Sequence, residues 1–292
     1  MPLRQTEKRN TTTGMKNLTI RFASLVLLGT CLLATGCDTA QKDSTAHEQA
    51  HFPTGDQRPL VGVHQIKLNE GVTEVAFDAF VSGPFAELWK EPIGGVHVRV
   101  DRGDRGQKDG QYLAVWSFDS VACRNRYFPT STEVTQAFRD DVKSKLTDVQ
   151  AKFDSMCSST EFTDFVVLFE TDPVEGMDSR SLYGVHNIEL RPGVSAETFE
   201  DFVTGAYAKA WQKPIAGIGH AIVKGERGAQ VGAYKLVITF TPASLRDEYI
   251  PSRSQVSKFF REEVMPQMPS EIDNRLRTMV KDTGFTDYAP VE

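Results

Sequence analysis

The sequence predicts an α+β protein made of two tandem βαββαβ units, the ferredoxin-like plan. Three observations carry this. The phrase GDRGQKDGQY, from Gly103, returns as GERGAQVGAY from Gly225, 122 positions later. The words around it return at the same spacing: GVHQIKLNEGV at Gly62 meets GVHNIELRPGV at Gly184, and RNRYFPTSTEV at Arg124 meets RDEYIPSRSQV at Arg246. Each copy also alternates between strand and helix periods in one order, which marks a duplicated structural unit.

Within a unit, GVHQIKL alternates over one strand's length and Gly71 turns the chain. Thr73, or Ser195 in the second copy, is placed to cap a helix. Phe77, Phe80, Val81, Phe85, Leu88 and Trp89 then recur at helical spacing until Pro92 and Gly94–Gly95 stop them. VHVRVDR and QYLAVWSF read as two strands joined by the repeated phrase, whose glycines permit positive φ and close backbone approach. A second helical stripe runs through Val134, Phe138, Val142, Leu146, Val149 and Phe153, and FTDFVVLFE closes the unit as a strand. The units span residues 60–172 and 182–292.

The N-terminal residues stand apart. MKNLTIRF at Met15 is a basic n-region, followed by ASLVLLGTCLLATG, an apolar stretch short of a bilayer's thickness. Leu33-Ala34-Thr35-Gly36-Cys37 resembles the lipobox of bacterial lipoproteins, which implies lipidation at Cys37, a lipid anchor in a membrane and a place in the bacterial cell envelope. Residues 1–37 are thus expected to be a signal segment, and residues 38–59 a polar tether. The whole chain carries a net charge of −6; its first 36 residues hold five Lys/Arg and one Glu, so the rest is acidic and offers no footprint for nucleic acid. Of four cysteines, Cys123 and Cys157 remain in the folded part. They are either a disulfide or two buried thiols. Apolar residues at both equivalent places in the second copy, Leu245 and Met279 or Val280, favour a buried covalent pair.

The unit resembles the dimeric α+β-barrel superfamily, which includes the antibiotic-biosynthesis monooxygenase, EthD and NIPSNAP families. The residues that carry the likeness are RPGVS at Arg191 after an opening strand, and SFDSVACRNRY at Ser117 after the third. The first copy departs from it, with Asn69-Glu70-Gly71 where the second has Pro-Gly. The resemblance implies two sheets facing each other around a cavity, with one chain supplying both as an internal pseudo-dimer.

His47-Glu48-Gln49-Ala50-His51 matches the zinc-protease pattern, but Pro53 follows at once and the surroundings are polar, so no metal site is expected. Residues kept in both copies lean structural: Trp89 and Trp211 as core, Arg105 and Arg227 bonding carbonyls or carboxylates, Arg124 with Tyr127 and Arg246 with Tyr249 docking the second helical region. Function is better sought where the copies differ. On the more polar strand faces the first copy offers Gln65, Lys67, His97 and Arg99, the second Asn187, Glu189, Lys235 and Thr239. His186 and His220 join Gln65, His97, Arg99, Asn187 and Glu189 as candidate cavity residues, although His64, His186 and His220 share their faces with isoleucines. No catalytic residue stands out and no cofactor is called for. The leading expectation is an envelope lipoprotein that binds a small hydrophobic ligand or a partner protein. The alternative, implied by the superfamily, is a cofactor-independent monooxygenase-like enzyme or a haem-dependent oxidoreductase, the latter with a histidine facing the cavity.

Overall fold

The computed structural model describes residues 53–173, 181–252 and 254–291. The signal segment, Cys37, His47, His51 and most of the tether lie outside the described residues.

The first unit contributes β1 (Leu60–Leu68), β2 (Val96–Gly106), β3 (Tyr112–Phe118) and β4 (Cys157–Glu170). The second contributes β5 (Leu182–Leu190), β6 (Ile218–Gly228), β7 (Tyr234–Phe240) and β8 (Val280–Pro290). All eight close into one barrel in the order β1-β3-β2-β8-β5-β7-β6-β4. Each unit supplies a four-stranded antiparallel sheet. The β2–β8 and β4–β6 pairings, also antiparallel, join the two sheets at their edges. Closure removes the exposed sheet edges that two separate units would leave.

Alternation along each strand separates an inner from an outer face. Leu60, Ile66 and Leu68 of β1 face outward and pack with Phe77, Phe85, Trp89 and Val142 from the helices of their own unit. Val61 and Val63 face inward and meet Leu113, Val115, Phe165, Val167, Val185 and Tyr288. The first helix is capped by Thr73, whose hydroxyl accepts the Ala76 N–H, and by Ser195 in the second copy. In both copies this helix widens for one turn, at Val81–Phe85 and Val203–Tyr207, before ending at the buried tryptophan. A short helix after β3, Val121–Tyr127, is a separate element that the sequence stripe did not resolve. Val134, counted in that stripe, is exposed; the buried part begins at Phe138.

The repeated phrase is a reciprocal clasp between the units. Arg105 on the first hairpin donates to the carbonyl of Ile250 and to Asp247 of the second unit, at 2.7 and 2.5 Å. Arg227 on the second hairpin donates to the carbonyl of Phe128 and to Asn125 of the first, at 2.6 and 2.8 Å. The acidic residue before each arginine reaches across as well: Glu226 bonds Arg124, and Asp104 bonds Arg246. Gly106 and Gly228 have φ of 112° and 93°, and a side chain there would run into the carbonyls of Phe285 and Phe162 on the opposing unit. Glycine is thus required where the hairpins cross.

The expected disulfide is absent: Cys123 and Cys157 are both free thiols. Cys157 pairs with Leu68 at the far end of β1, whereas Val121, in the helix that carries Cys123, bonds Arg58 just before its near end. The length of β1 separates them, on the order of 25 Å, and a bridge needs Cα atoms within about 7 Å. The apolar counterparts reported burial, not proximity. Burial also pushes the Cys157 thiol up to about 12. Titration of the unfolded, unreduced protein with a thiol reagent should therefore find both cysteines reactive, and a reductant should leave the unfolding midpoint unchanged. A drop in midpoint on reduction would contradict this arrangement.

Candidate functional site

The inner face is apolar at its waist and polar on either side. Val61, Val63, Val115, Val185 and Tyr288 form the waist. Along β5, Tyr183 lies on one side of Val185 and Asn187 on the other, roughly 13 Å apart.

On the Asn187 side is a cavity of about 400 Å³, lined by Gln65, Glu161, Val185, Asn187, Glu189, Lys235, Thr286 and Tyr288, with Gln107, Lys108 and Gln230 from the hairpins. Its volume falls in the range of small-molecule sites. Lys235 stands opposite Asn187 in the β5–β7 ladder and its Nζ donates to Asn187 Oδ1 at 2.6 Å. The ammonium also lies 5.3 Å from the Phe165 ring centroid. Burial lowers the Lys235 amine to about 8; Glu161 opposes the shift and Lys108 adds to it. Gln230 holds the Glu161 carboxylate at 3.2 Å. Tyr288 lines the cavity while feeling the charge of Asp101 beyond the waist, and burial pushes its phenol up to about 12.

On the Tyr183 side, Arg99 and Asp101 project inward from β2, opposite Val115 and Leu113. Arg99 Nε donates to both Asp101 carboxylate oxygens, at 3.1 and 3.0 Å, and the guanidinium lies 4.6 Å over the Tyr183 ring. Burial raises the Asp101 carboxyl, with Arg99 opposing. Glu170, at the end of β4, is raised in the same way and faces the same guanidinium. His97 stands at the start of β2 on the inner side; burial and then Arg99 lower its pKa, against a hydrogen bond to the Trp89 carbonyl.

The candidate residues thus divide. Gln65, Asn187 and Glu189 line the cavity, His97 and Arg99 belong to the second cluster, and Lys67 is exposed outside both. His186 and His220 are corrected: both lie on the outer, helix-facing side. His220 stacks on Trp211 at 3.7 Å and bonds the Tyr207 hydroxyl at 2.7 Å, while His186 bonds Asp282 at 2.8 Å and stacks on Phe285. They follow the outward phase of Ile188 and Ile222, which pack into the second unit's core. Sequence reasoning missed Asp101, Glu161, Glu170 and Tyr288. Counting two onward from Arg99 would have found Asp101.

No protein-family profile matches the chain, and no curated protein matches it in sequence. Solved structures do resemble it. A protein inferred to be a monooxygenase, from Lactobacillus acidophilus, superimposes with a TM-score of 0.50 at 9% identity, over 80% of this chain and 95% of its own. The fold is that of the dimeric α+β barrel. An anthrone oxidase-like protein (16% identity, 81% and 92% covered, TM-score 0.41) is more distant, as is a mutant chlorite dismutase from Candidatus Nitrospira defluvii (11%, 82% and 93%, 0.38). Identities this low speak for the fold alone.

Haem does not fit the residues present. An axial histidine must face an open slot. Among the described residues none of the cavity-lining side chains is a histidine, His220 is packed against Trp211, His64 stacks on Phe162 with Trp116 tilted beside it, and the inward His97 is held by the Trp89 carbonyl next to the Arg99 guanidinium.

Proposed function

We propose that this chain is an envelope lipoprotein, anchored through Cys37, whose barrel binds a small polar organic molecule in the Lys235–Asn187 cavity. The observation that supports it is the convergence of Lys235, Asn187, Gln65 and Glu161 on one cavity open to solvent. Lys235 already bonds Asn187, and Gln230 bonds Glu161, across the cavity, and a ligand with matching donors and acceptors can take the place of water beside them. This lining favours a polar ligand over the hydrophobic one that the sequence suggested. The duplication supports the same reading. At the position of Lys235 the first copy has Leu113, and at that of Glu161 the second has Gly284, so the fold itself needs neither charge. The anchor rests on the lipobox-like residues at Leu33–Cys37.

A thermal-shift panel of small dicarboxylates, oxo acids and amino acids tests it. At least one class should raise the midpoint of the wild type and leave an Asn187→Leu, Lys235→Met double variant unmoved. A panel that shifts both proteins equally, or neither, would count against the cavity as the binding site.

A further inference from the structure

We propose that Lys235 is a carbonyl-capturing amine, which holds a small aldehyde or α-oxo acid in the barrel as an imine. This rests on the binding reading above and names the class of ligand.

Position is the first argument. The amine is the end of a side chain that enters the cavity from β7. Its hydrogen bond is to a neutral amide oxygen, and among the described residues no carboxylate lies within ion-pair distance of it. Lys224, on the outer face of β6, is built otherwise: its ammonium pairs with Glu200 at 2.6 Å. An ion-paired lysine is held in its charged form, whereas for Lys235 the Asn187 oxygen and the Phe165 face only partly offset the cost of burying the charge. Burial brings the amine to about 8, with Glu161 and Lys108 the charged groups facing it from β4 and the first hairpin. Roughly a tenth is then free base at neutral pH, against well under a hundredth for an ordinary lysine.

The neighbours supply the other needs of the step. The nitrogen lone pair attacks the carbonyl carbon, an N–C bond forms, and a proton moves from nitrogen to oxygen to give a carbinolamine. The C–O bond then breaks, the oxygen leaves as water, and a second proton lost from nitrogen completes the C=N bond. No oxidant or reductant is required. Glu161, steadied by Gln230, faces the amine and is placed to relay those protons through water. Lys108, on the cavity's rim, offers a charge for the carboxylate of an oxo acid.

The test is reductive trapping. The purified full chain is incubated at neutral pH with glyoxylate and cyanoborohydride, digested, and each lysine scored for carboxymethylation by tandem mass spectrometry over time. Lys235 should be modified roughly tenfold faster than exposed lysines such as Lys90 and Lys258, its extra free base being partly offset by lower nucleophilicity. Unlabelled pyruvate should slow Lys235 alone, and Lys235→Arg should abolish the fast event while leaving the surface rates unchanged. Modification of Lys235 at or below the surface rate overturns the proposal. If the thermal-shift panel still yields a cavity-dependent ligand, the binding reading survives that result; if it does not, both fall.

Discussion

Replacing Arg124 or Arg246 with alanine should cost about 3–5 kcal/mol each, the scale for breaking a buried ion pair from one side. The Arg124 side chain is 1% exposed and bonds Asp164 of its own unit and Glu226 of the other. Arg246 repeats the arrangement, with Asp287 at 2.7 Å, Asp247 at 2.6 Å, and Asp104 from the opposite hairpin. Removing either guanidinium leaves a buried carboxylate, Asp164 or Asp287, without the cation bonded to it, although Arg227 remains near Asp164. It also releases a hairpin at the seam where the sheets join. Lysine should not rescue the loss, since one ammonium cannot present the planar fork that engages two acids at once. The rim partner is a useful control. Glu226 is 41% exposed, so Glu226→Gln should cost under about 1 kcal/mol. Urea unfolding followed by circular dichroism measures all of these variants. A cost below 1 kcal/mol for Arg124→Ala would mean that the pair is not what holds the seam.

These arginines show what the sequence could and could not tell. Their presence in both copies marks the repeated phrase and Arg124/Arg246 as structural, but the docking of the second helical region expected of these arginines falls to Tyr127 and Tyr249, and the arginines bond the sheet and the opposite hairpin instead. Their partners were illegible, because periodicity does not say which unit's sheet lies beside a hairpin; Arg105 finds Asp247 142 positions away. Placing Gln65, Asn187 and Lys235 on one inner face needed only alternation and the guess that polar faces meet. The histidines needed one step more. Sharing a face with Ile188 or Ile222 was the signal that His186 and His220 point to the helices, and it outweighs the polarity of the ring. Glu161 and Glu170 were hidden for a different reason: β4 shifts register against β1 and β6, so counting by twos along it loses the phase. The cysteine error has the same root as the arginine gap. Matching apolar residues across the copies report burial depth, and distance across a sheet is a separate quantity.

Mild acid should destabilise this protein through His220. Burial holds its pKa down at about 3, with a smaller push from His186. In the unfolded chain it titrates near 6.5, so between these values the unfolded state binds the proton and the folded state does not. The stabilisation is therefore complete above about 6.5 and is lost as pH falls, amounting to roughly 2 kcal/mol between pH 7.5 and pH 5. The duplication supplies the control. Trp211, Tyr207 and His220 occupy the places that Trp89, Phe85 and Val98 hold in the first copy, where the same packing is built without a titrating ring. The double variant Tyr207→Phe, His220→Val copies that arrangement and leaves no hydroxyl unpaired. It should lose about 1–2 kcal/mol at neutral pH, valine being smaller than the ring it replaces against Trp211. Its stability should then fall less steeply with acid than the wild type's, by the same roughly 2 kcal/mol over that pH span. His64 and His97 are also lowered by burial and push in the same direction, while Asp101, Glu170 and Asp273 are raised and push the other way. All of them are present in both proteins, so the difference between the two curves isolates His220. Parallel curves would show that the ring takes up its proton as readily in the folded state as in the unfolded chain, against its stacking on Trp211 at 3.7 Å and its bond to Tyr207.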